Sequence, residues 1–432
     1  MKKIKLQNVK GSFDFMPKEQ NIRNNIISVL KSNFEKYGYL PIETPIICYY
    51  DLLKYKYNEK AEILNEIYKI TDQADRKLGL RYDLTVPFCK VIGMQKELKL
   101  PFRRYEIGKV YRNGPVKLGR NREFYQCDVD VVGIDGRLIE VEQIEMAIKI
   151  FNELNIDIIV NWNNRKLMSG LIIEAGINDE LISDVIAILD RKDKISKSDM
   201  IKELNELNID NEIINKLFDL FEIDFNLLKE KYVNTNNNYL KEGIDEISEV
   251  FKYLKELNID NKCYFNPYLA RGLSIYTGIV FEFYDSKKRL NCALGGGGRY
   301  DKIITEFIDD GNTYPAIGLS FGLEPIYTIL KKDKKYNSNL IDIYLIPMNT
   351  EVESLKLAIK LRQMGYKVIV EMNSRKVKRC FEYADKEKIP YVIVLGENEI
   401  NSKSFNIKDM KTSKEIEISF NDLNKIDDLI KG

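Results

Sequence analysis

Apolar side chains at Ile22, Ile26, Ile27, Leu30, Phe34 and Tyr37 recur at three- and four-residue steps, which gathers them on one face of a helix that Gly38 is placed to end. The next stretch, Tyr39-Leu40-Pro41-Ile42-Glu43-Thr44-Pro45, is proline-constrained and reads as extended. Between about residues 60 and 165, short apolar runs such as Tyr105 to Tyr111 and Asp128 to Val132 alternate with charged turns, a pattern of antiparallel strands. A helix from Glu140 to Leu154 closes that block. From about 165 to 255 the pattern changes to Leu and Ile at helical spacing among many Asn, Asp and Lys, which predicts a helical insertion. Strand character returns at Ile279 to Tyr284 and Leu290 to Leu294, with Asp285-Ser286-Lys287-Lys288 as the hairpin loop.

The polar run from Lys331 to Asn339 reads as a linker, placed at 331–340. Beyond it come a strand at Ile341 to Ile346, a helix from Glu351 to Met364 stopped by Gly365, a strand at Tyr366 to Val370, a helix from about Ser374 and a strand at Tyr391 to Leu395. That βαβαβ order predicts a small parallel α/β domain over 341–432, after a larger domain over 1–330 that is interrupted by the insertion. The fold class expected is α+β, an antiparallel-sheet domain followed by the α/β one.

Composition narrows the chemistry. The chain has 432 residues, 67 basic side chains against 66 acidic ones, six cysteines and no histidine. Without histidine, Ser-His-Asp and Cys-His nucleophile systems, His-ligated zinc and histidine general bases are all excluded. A 44% apolar fraction suffices to bury real cores, and two or three domains are expected at this length. The cysteines lack any CxxC spacing and read as the thiols of a cytoplasmic protein. The opening Met1-Lys2-Lys3-Ile4-Lys5 leads into polar residues and is not expected to be a signal peptide, and no apolar stretch approaches the ~18 residues of a membrane span.

The densest chemical signal is Phe102-Arg103-Arg104-Tyr105-Glu106-Ile107-Gly108-Lys109-Val110-Tyr111-Arg112, followed by Gly119-Arg120-Asn121-Arg122-Glu123-Phe124-Tyr125-Gln126-Cys127-Asp128-Val129-Asp130. Two strands joined by a loop would bring Arg112, Gln126 and Asp130 onto facing strands, with Gln126, Asp128 and Asp130 on one face and Cys127 and Val129 on the other. The planar fork of arginine grips phosphate bidentately. Taken alone, the same pattern also describes a solvated strand pair with surface ion pairs.

These residues resemble motif 2 of the class II aminoacyl-tRNA synthetases, and specifically the histidyl-tRNA synthetase family, over nearly the whole chain. Lys10 to Pro17 is similar to the family's opening, Tyr39 to Pro45 to motif 1, which builds the dimer interface, and Arg81-Tyr82-Asp83-Leu84-Thr85-Val86-Pro87 to the loop that receives the amino group. Leu269 to Gly278 resembles the histidine-specific RGLDYYTG segment, Gly297-Gly298-Arg299-Tyr300-Asp301 the GGRYD signature, and Ala316 to Ile326 motif 3. The C-terminal domain resembles an anticodon-binding domain. The resemblance implies ATP-dependent ligation of L-histidine to tRNA(His) through a histidyl-adenylate, with ATP and Mg²⁺, no zinc, a homodimer and a cytoplasmic setting. It implies Arg112 and Arg271 as catalytic residues, and Asp83, Leu84, Thr85, Arg112, Gln126, Asp130, Arg271, Ile275 and Tyr276 around histidine. It implies Arg112, Arg120, Arg122, Gly296, Gly297 and Arg299 around ATP, and Arg375, Lys376, Lys378 and Arg379 on tRNA.

Three positions depart from the pattern. Motif 2 usually carries an acidic residue soon after its arginine, whereas Arg112 is followed by Asn113-Gly114-Pro115; motif 3 usually ends Gly-Leu-Glu-Arg, whereas this chain reads Gly322-Leu323-Glu324-Pro325; and Ser274 and Ile275 replace Asp and Tyr of RGLDYYTG. Lys194-Ile195-Ser196-Lys197-Ser198 is similar to the KMSKS loop of class I synthetases, but that class needs a histidine signature that the chain lacks, so a helix start is expected there. Rival readings are a histidine-sensing regulatory paralogue such as the synthetase-like subunit of ATP phosphoribosyltransferase, a non-catalytic tRNA-binding sensor, and a prolyl or threonyl enzyme.

Overall fold

Helix Pro17–Lys36 buries Ile26, Leu30 and Phe34 at the predicted spacing, and the chain leaves it through Gly38 at a φ of +76°, a left-handed conformation that suits glycine. The computed structural model describes residues 5–55, 63–95, 97–192, 194–271, 275–332 and 340–430. The chain divides into two units, one of residues 1–14 and 23–332 and one of residues 15–22 and 333–432.

Eleven strands lie in the first unit among the described residues: β1 (Leu40–Pro41), β2 (Ile47–Tyr49), β3 (Lys69–Thr71), β4 (Lys77–Leu80), β5 (Phe102–Tyr111), β6 (Glu123–Val132), β7 (Ile158–Asn164), β8 (Cys263–Phe265), β9 (Ile279–Asp285), β10 (Gly295–Arg299) and β11 (Ala316–Gly322). Eight of them form one sheet in the order β1-β5-β6-β11-β10-β9-β7-β8, and β2, β4 and β3 form a small second one. Every pairing in the large sheet is antiparallel except β1 with β5 and β7 with β8 at its edges. One face is apolar: Phe321 of β11 and Phe283 of β9 stack at 6.3 Å, and Phe34 and Phe151, from helices Pro17–Lys36 and Leu138–Glu153, pack on Phe321 at 5.7 Å each. The other face is polar and glycine-rich.

Period-two alternation dictates this division, because the strands that contribute Cys127, Val129, Phe321 and Phe283 to the core must send the residues between them to the opposite side. One expected strand moves. Leu290 to Leu294 forms no strand; the glycine run Gly295–Arg299 is the central strand instead. Asp285 explains the shift, since its carboxylate accepts from the backbone N, Nε and Nη2 of Arg289 at 2.8 Å each and holds the intervening residues in a turn, so that pairing begins only at Gly295.

The insertion is helical from Arg165–Ala175 to Asn238–Glu256. Ser196 caps helix Lys197–Glu206 by accepting from the Asp199 backbone N at 3.1 Å, so the KMSKS-like stretch is a helix start. Gly272, Leu273 and Ser274 of the RGLDYYTG-like segment and residues 333–339 of the linker lie outside the described residues.

The second unit holds β12 (Ile343–Pro347), β13 (Val368–Val370), β14 (Tyr391–Leu395), β15 (Ser404–Asp409) and β16 (Glu415–Ser419) in the order β13-β12-β14-β15-β16. The first three are parallel, with helices Glu351–Gln363 and Val377–Glu387 as crossovers, and the last two add antiparallel strands beyond the predicted βαβαβ. The fold is thus a mixed one, an antiparallel-rich sheet with a separate five-stranded α/β unit.

Phe321→Ala is expected to cost about 3–5 kcal/mol, because three aromatic rings, Phe34, Phe151 and Phe283, converge on it and their loss leaves a cavity. Urea unfolding followed through Trp162, the single tryptophan and fully buried on β7 of the same sheet, measures it. Leu257→Ala, at a residue 49% exposed, is the control and should stay within about 0.5 kcal/mol of the parent.

Candidate functional site

The polar face of the large sheet is built row by row from its register. Gln126, Asp128 and Asp130 of β6 face Gly108, Glu106 and Arg104 of β5 on one side and Gly322, Ser320 and Gly318 of β11 on the other. The rows continue through Gly296 and Gly298 of β10 to Glu282 and Val280 of β9. Small residues in the middle and charged ones toward β5 make a depression with a polar wall. At Gly296 the absent Cβ is filled by the guanidinium of Arg271, and at Gly318 by a carboxylate oxygen of Asp130, so any larger residue at either place displaces a charged group.

The β5 wall is a lattice of buried charge. Arg104 is fully buried, its Nη2 2.6 Å from Asp130 Oδ2 and its Nη1 3.7 Å from Glu106 Oε2, with its Cζ 4.4 Å over the Phe88 ring. Glu106 also receives Arg81 Nη1 at 2.8 Å and the backbone N and hydroxyl of Thr44 at 2.9 Å each. Arg81 donates through Nε to the Lys109 carbonyl at 2.9 Å, which anchors the loop that carries Asp83. Asp130 accepts the Tyr300 hydroxyl. Three acceptors on the same face of β6, namely Gln126 Oε1, Asp128 Oδ1 and Asp130 Oδ2, are buried with no aligned hydrogen-bond donor among the described residues. Burial, reinforced by the neighbouring Asp130 and Asp83 carboxylates against the pull of Arg104, pushes the Asp128 carboxyl up to about 7.

Around this floor the predicted residues fall in different places. Asp83 is buried and its Oδ1 accepts the Val86 backbone N at 3.1 Å, with Leu84 buried and Thr85 half-buried beside it at the start of helix Thr85–Met94. Gln126 Nε2 donates to Ser320 Oγ at 3.2 Å. Arg271 adopts a φ of +53°, donates from Nη1 to the Phe281 carbonyl at 3.4 Å, pairs with Glu282 at 3.8 Å and lies 5.6 Å from the Tyr276 ring. Ile275 packs with Tyr276, Leu269 and Val280. Arg112 stands at the other end, its Nε donating to the Tyr82 carbonyl at 3.0 Å and its Cζ 5.3 Å from the Phe124 ring.

Beside Arg112 opens a cavity of about 180 Å³ whose walls include Arg120, Glu66, Phe124, Tyr125 and Pro325. Of the residues expected around the nucleotide, Arg112 and Arg120 line it. Arg122 instead bonds the Gly114 carbonyl at 3.0 Å and shapes the loop. Gly296 lies under Arg271, and Gly297 pairs with Leu319 and Phe281 on the apolar side. The expectation for Arg299 is overturned: it is fully buried, its Nε 2.7 Å from Glu140 Oε1 and its Nη1 and Nη2 3.0 and 3.1 Å from the carbonyls of Ile134 and Gly136, a structural ion pair that cannot reach a ligand.

Sequence reasoning missed Arg81, Arg104, Glu106, Tyr300 and Glu66. Arg104 and Glu106 could have been found, since they alternate on β5 as Asp128 and Asp130 do on β6; Glu66 carried no signal. Among the described residues, no three acidic or cysteine side chains gather as a metal site.

In the second unit, Lys376 precedes helix Val377–Glu387, and Lys378 and Arg379 are exposed on its first turn. Arg375 is already engaged, 2.9 Å from Glu371 Oε2 and over the Tyr383 ring at 4.8 Å.

Comparison with known proteins agrees with this geometry. The family profile described as Histidyl-tRNA synthetase matches residues 11–326, and the Anticodon binding domain profile matches residues 342–426. The chain is 42% identical to histidine-tRNA ligase 1 of Bacillus cereus over 427 residues, covering 98% of this chain and 99% of that one. It is 41% identical to histidine-tRNA ligase 2 of Shouchella clausii over 428 residues, covering 97% and 100%. The crystal structure of histidyl-tRNA synthetase from Nostoc superposes with a TM-score of 0.86 at 26% identity over 99% of both chains.

A carboxyl raised by burial is neutral in the folded protein while its unfolded counterpart has already ionised, so the stability tied to Asp128 is complete below about pH 4 and is lost as pH rises toward 7. Asp128→Asn removes that loss. Without ligands, its stability relative to the parent should therefore improve by roughly 3 kcal/mol between pH 5 and pH 8, as measured by urea unfolding at the two pH values.

Proposed function

This chain belongs to the histidyl-tRNA synthetase family, and we propose from that premise that it ligates L-histidine to tRNA(His) in two steps on the polar face of the large sheet. A carboxylate oxygen of histidine attacks the α-phosphorus of ATP, the bond to the bridging oxygen breaks, and pyrophosphate leaves with its electron pair. A ribose hydroxyl at the tRNA terminus then attacks the acyl carbon of the adenylate, and AMP departs. Full-length relatives named as ligases, matched through both domains, favour charging over a regulatory paralogue.

The observation that carries this reading is the pair of buried acceptors without a donor, Gln126 Oε1 and Asp128 Oδ1, beside the Asp130 carboxylate that Arg104 holds at 2.6 Å, on the face against which Arg271 lies. An amino acid with a cationic amino group and a ring N–H supplies the missing donors, and its carboxylate suits the arginines. Asp83, Leu84, Thr85 and Gln126 take the α-amino and carboxylate end. Asp130 and Tyr276 meet the ring nitrogens, with Ile275 packing against the pocket. Arg112 and Arg271 sit on opposite sides of the α-phosphate, where negative charge builds in the transition state, and their fixed positions stabilise it without reorganisation. Mg²⁺ arrives with ATP as its counter-ion. Arg120 faces the nucleotide in its cavity, while Arg122 and the glycines Gly296 and Gly297 act through the loop and the floor.

Lys376, Lys378 and Arg379, with Arg375 tied to Glu371, offer charge to the anticodon arm. The enzyme works as a cytoplasmic homodimer; exposed Leu40, Ile46, Ile47 and Tyr49 around the motif 1 segment are the apolar surface that such an interface covers.

Exchange of labelled pyrophosphate into ATP should occur with histidine and with no other amino acid. Arg112→Ala and Arg271→Ala should each lower it about 10²–10³-fold while circular dichroism stays unchanged. Silence with all twenty amino acids would contradict the reading.

A further inference from the structure

Two carboxylates line the cavity beside Arg112, and they differ in one respect. Glu324 is already paired, with Oε1 and Oε2 at 3.1 and 3.2 Å from Arg23 and the Tyr125 backbone N at 3.3 Å from Oε1. Glu66 accepts no side-chain hydrogen bond among the described residues, and its nearest cation, Arg120 Nη2, is 4.0 Å from Oε1. Yet the carboxylate is held in place. The Glu66 carbonyl accepts the Asn113 backbone N at 2.8 Å, which pins helix Ile63–Glu66 to the turn that follows Arg112. A Cβ on Gly114 would come within 2.5 Å of Glu66 Oε1, so the carboxylate occupies the space that a side chain at position 114 would take.

The rest of the wall sorts by chemistry. Phe124, Tyr125, Pro115 and Pro325 give flat apolar surfaces, Gly114, Gly119 and Gly322 keep the walls thin, and Arg112 and Arg120 supply positive charge. A nucleoside triphosphate placed here puts its phosphates on the arginines and its base between the flat surfaces. A carboxylate repels bare phosphate, so without a bridging cation Glu66 meets the base, where it accepts from an N–H donor on the ring edge. We infer that Glu66 is the residue that reads the exocyclic amino group of the adenine, a role that Gly114 makes possible by leaving room for it. The assignment rests on the ATP-dependent reading above.

The test uses the full-length chain with Mg²⁺ and compares the affinity of ATP with that of purine riboside triphosphate, which lacks the 6-amino group, by calorimetry. The parent is expected to prefer ATP about 10–100-fold, the size of one hydrogen bond to a charged group. In Glu66→Ala that preference should fall to below about threefold, and in the isosteric Glu66→Gln it should fall part of the way. Because each variant is its own control, general loss of structure lowers both affinities and leaves the ratio intact. An unchanged preference in Glu66→Ala overturns the assignment, as does recovery of ATP binding by extra Mg²⁺, which would make Glu66 a metal ligand. If the preference behaves as expected but pyrophosphate exchange with histidine is absent, the ligase reading fails and the Glu66 assignment stands.

Discussion

Arg104 has no contact with solvent, and around its guanidinium lie Asp130 at 2.6 Å, Glu106 at 3.7 Å and the nearby Asp128, while a second arginine, Arg81, closes on Glu106 at 2.8 Å. Two cations therefore serve three carboxylates, with Asp83 close enough to raise the carboxyl of Asp128. Charges removed from water are stable only when paired and hydrogen-bonded, and this lattice is left one cation short once Asp128 ionises, above about pH 7. The lattice also sets the architecture, because Thr44, the loop after β4, β5, β6 and the Tyr300 segment all terminate on it. Removing either arginine strands buried carboxylates and loosens several segments at once. In the proposed function, a ligand that brings a positive amino group would complete the lattice, so that substrate recognition and the stability of the floor would share one electrostatic cause.

Glycine has the complementary task on the same face. With no side chain at 296, the Arg271 guanidinium lies against β10, and the Arg271 backbone is left-handed at a φ of +53°. Arg112 and Arg271 come from segments far apart in the chain, and the strand under Arg271 is nearly bare backbone. This is also why the sequence GGGGRY is ambiguous: four glycines ordinarily mark a loop, and here tertiary packing from both neighbours overrides that preference.

Much of this was legible in the sequence. The helix ended by Gly38, the strand pair around motif 2, the helical insertion and the parallel core of the second unit all follow from periodicity, because each has one clear apolar face. The placement of Gln126, Asp128 and Asp130 together followed from period two alone. What escaped were features set by contacts between distant segments. Leu290 to Leu294 has strand-like composition but is held in a turn by Asp285 and Arg289. Arg299 sits in a signature with a functional association, yet it spends its guanidinium on Glu140, 159 residues away. Glu66 belongs to a short helix without any motif, and only the missing Cβ of Gly114 shows why its carboxylate has room there. Local pattern reports faces and turns; it does not report which buried charge meets which.

The claim on which the account turns is that, once Asp128 is ionised above about pH 7, the floor lacks one positive charge and that the amino group of the substrate supplies it. Calorimetric binding of histidine and of its desamino analogue, imidazole propionate, to the full-length chain at pH 8 tests this directly. The account predicts that losing the amino group weakens binding about 10–100-fold, the worth of a hydrogen bond to a charged group. Equal affinity for the two would show that the carboxylates of the floor are satisfied without the ligand, and would contradict it.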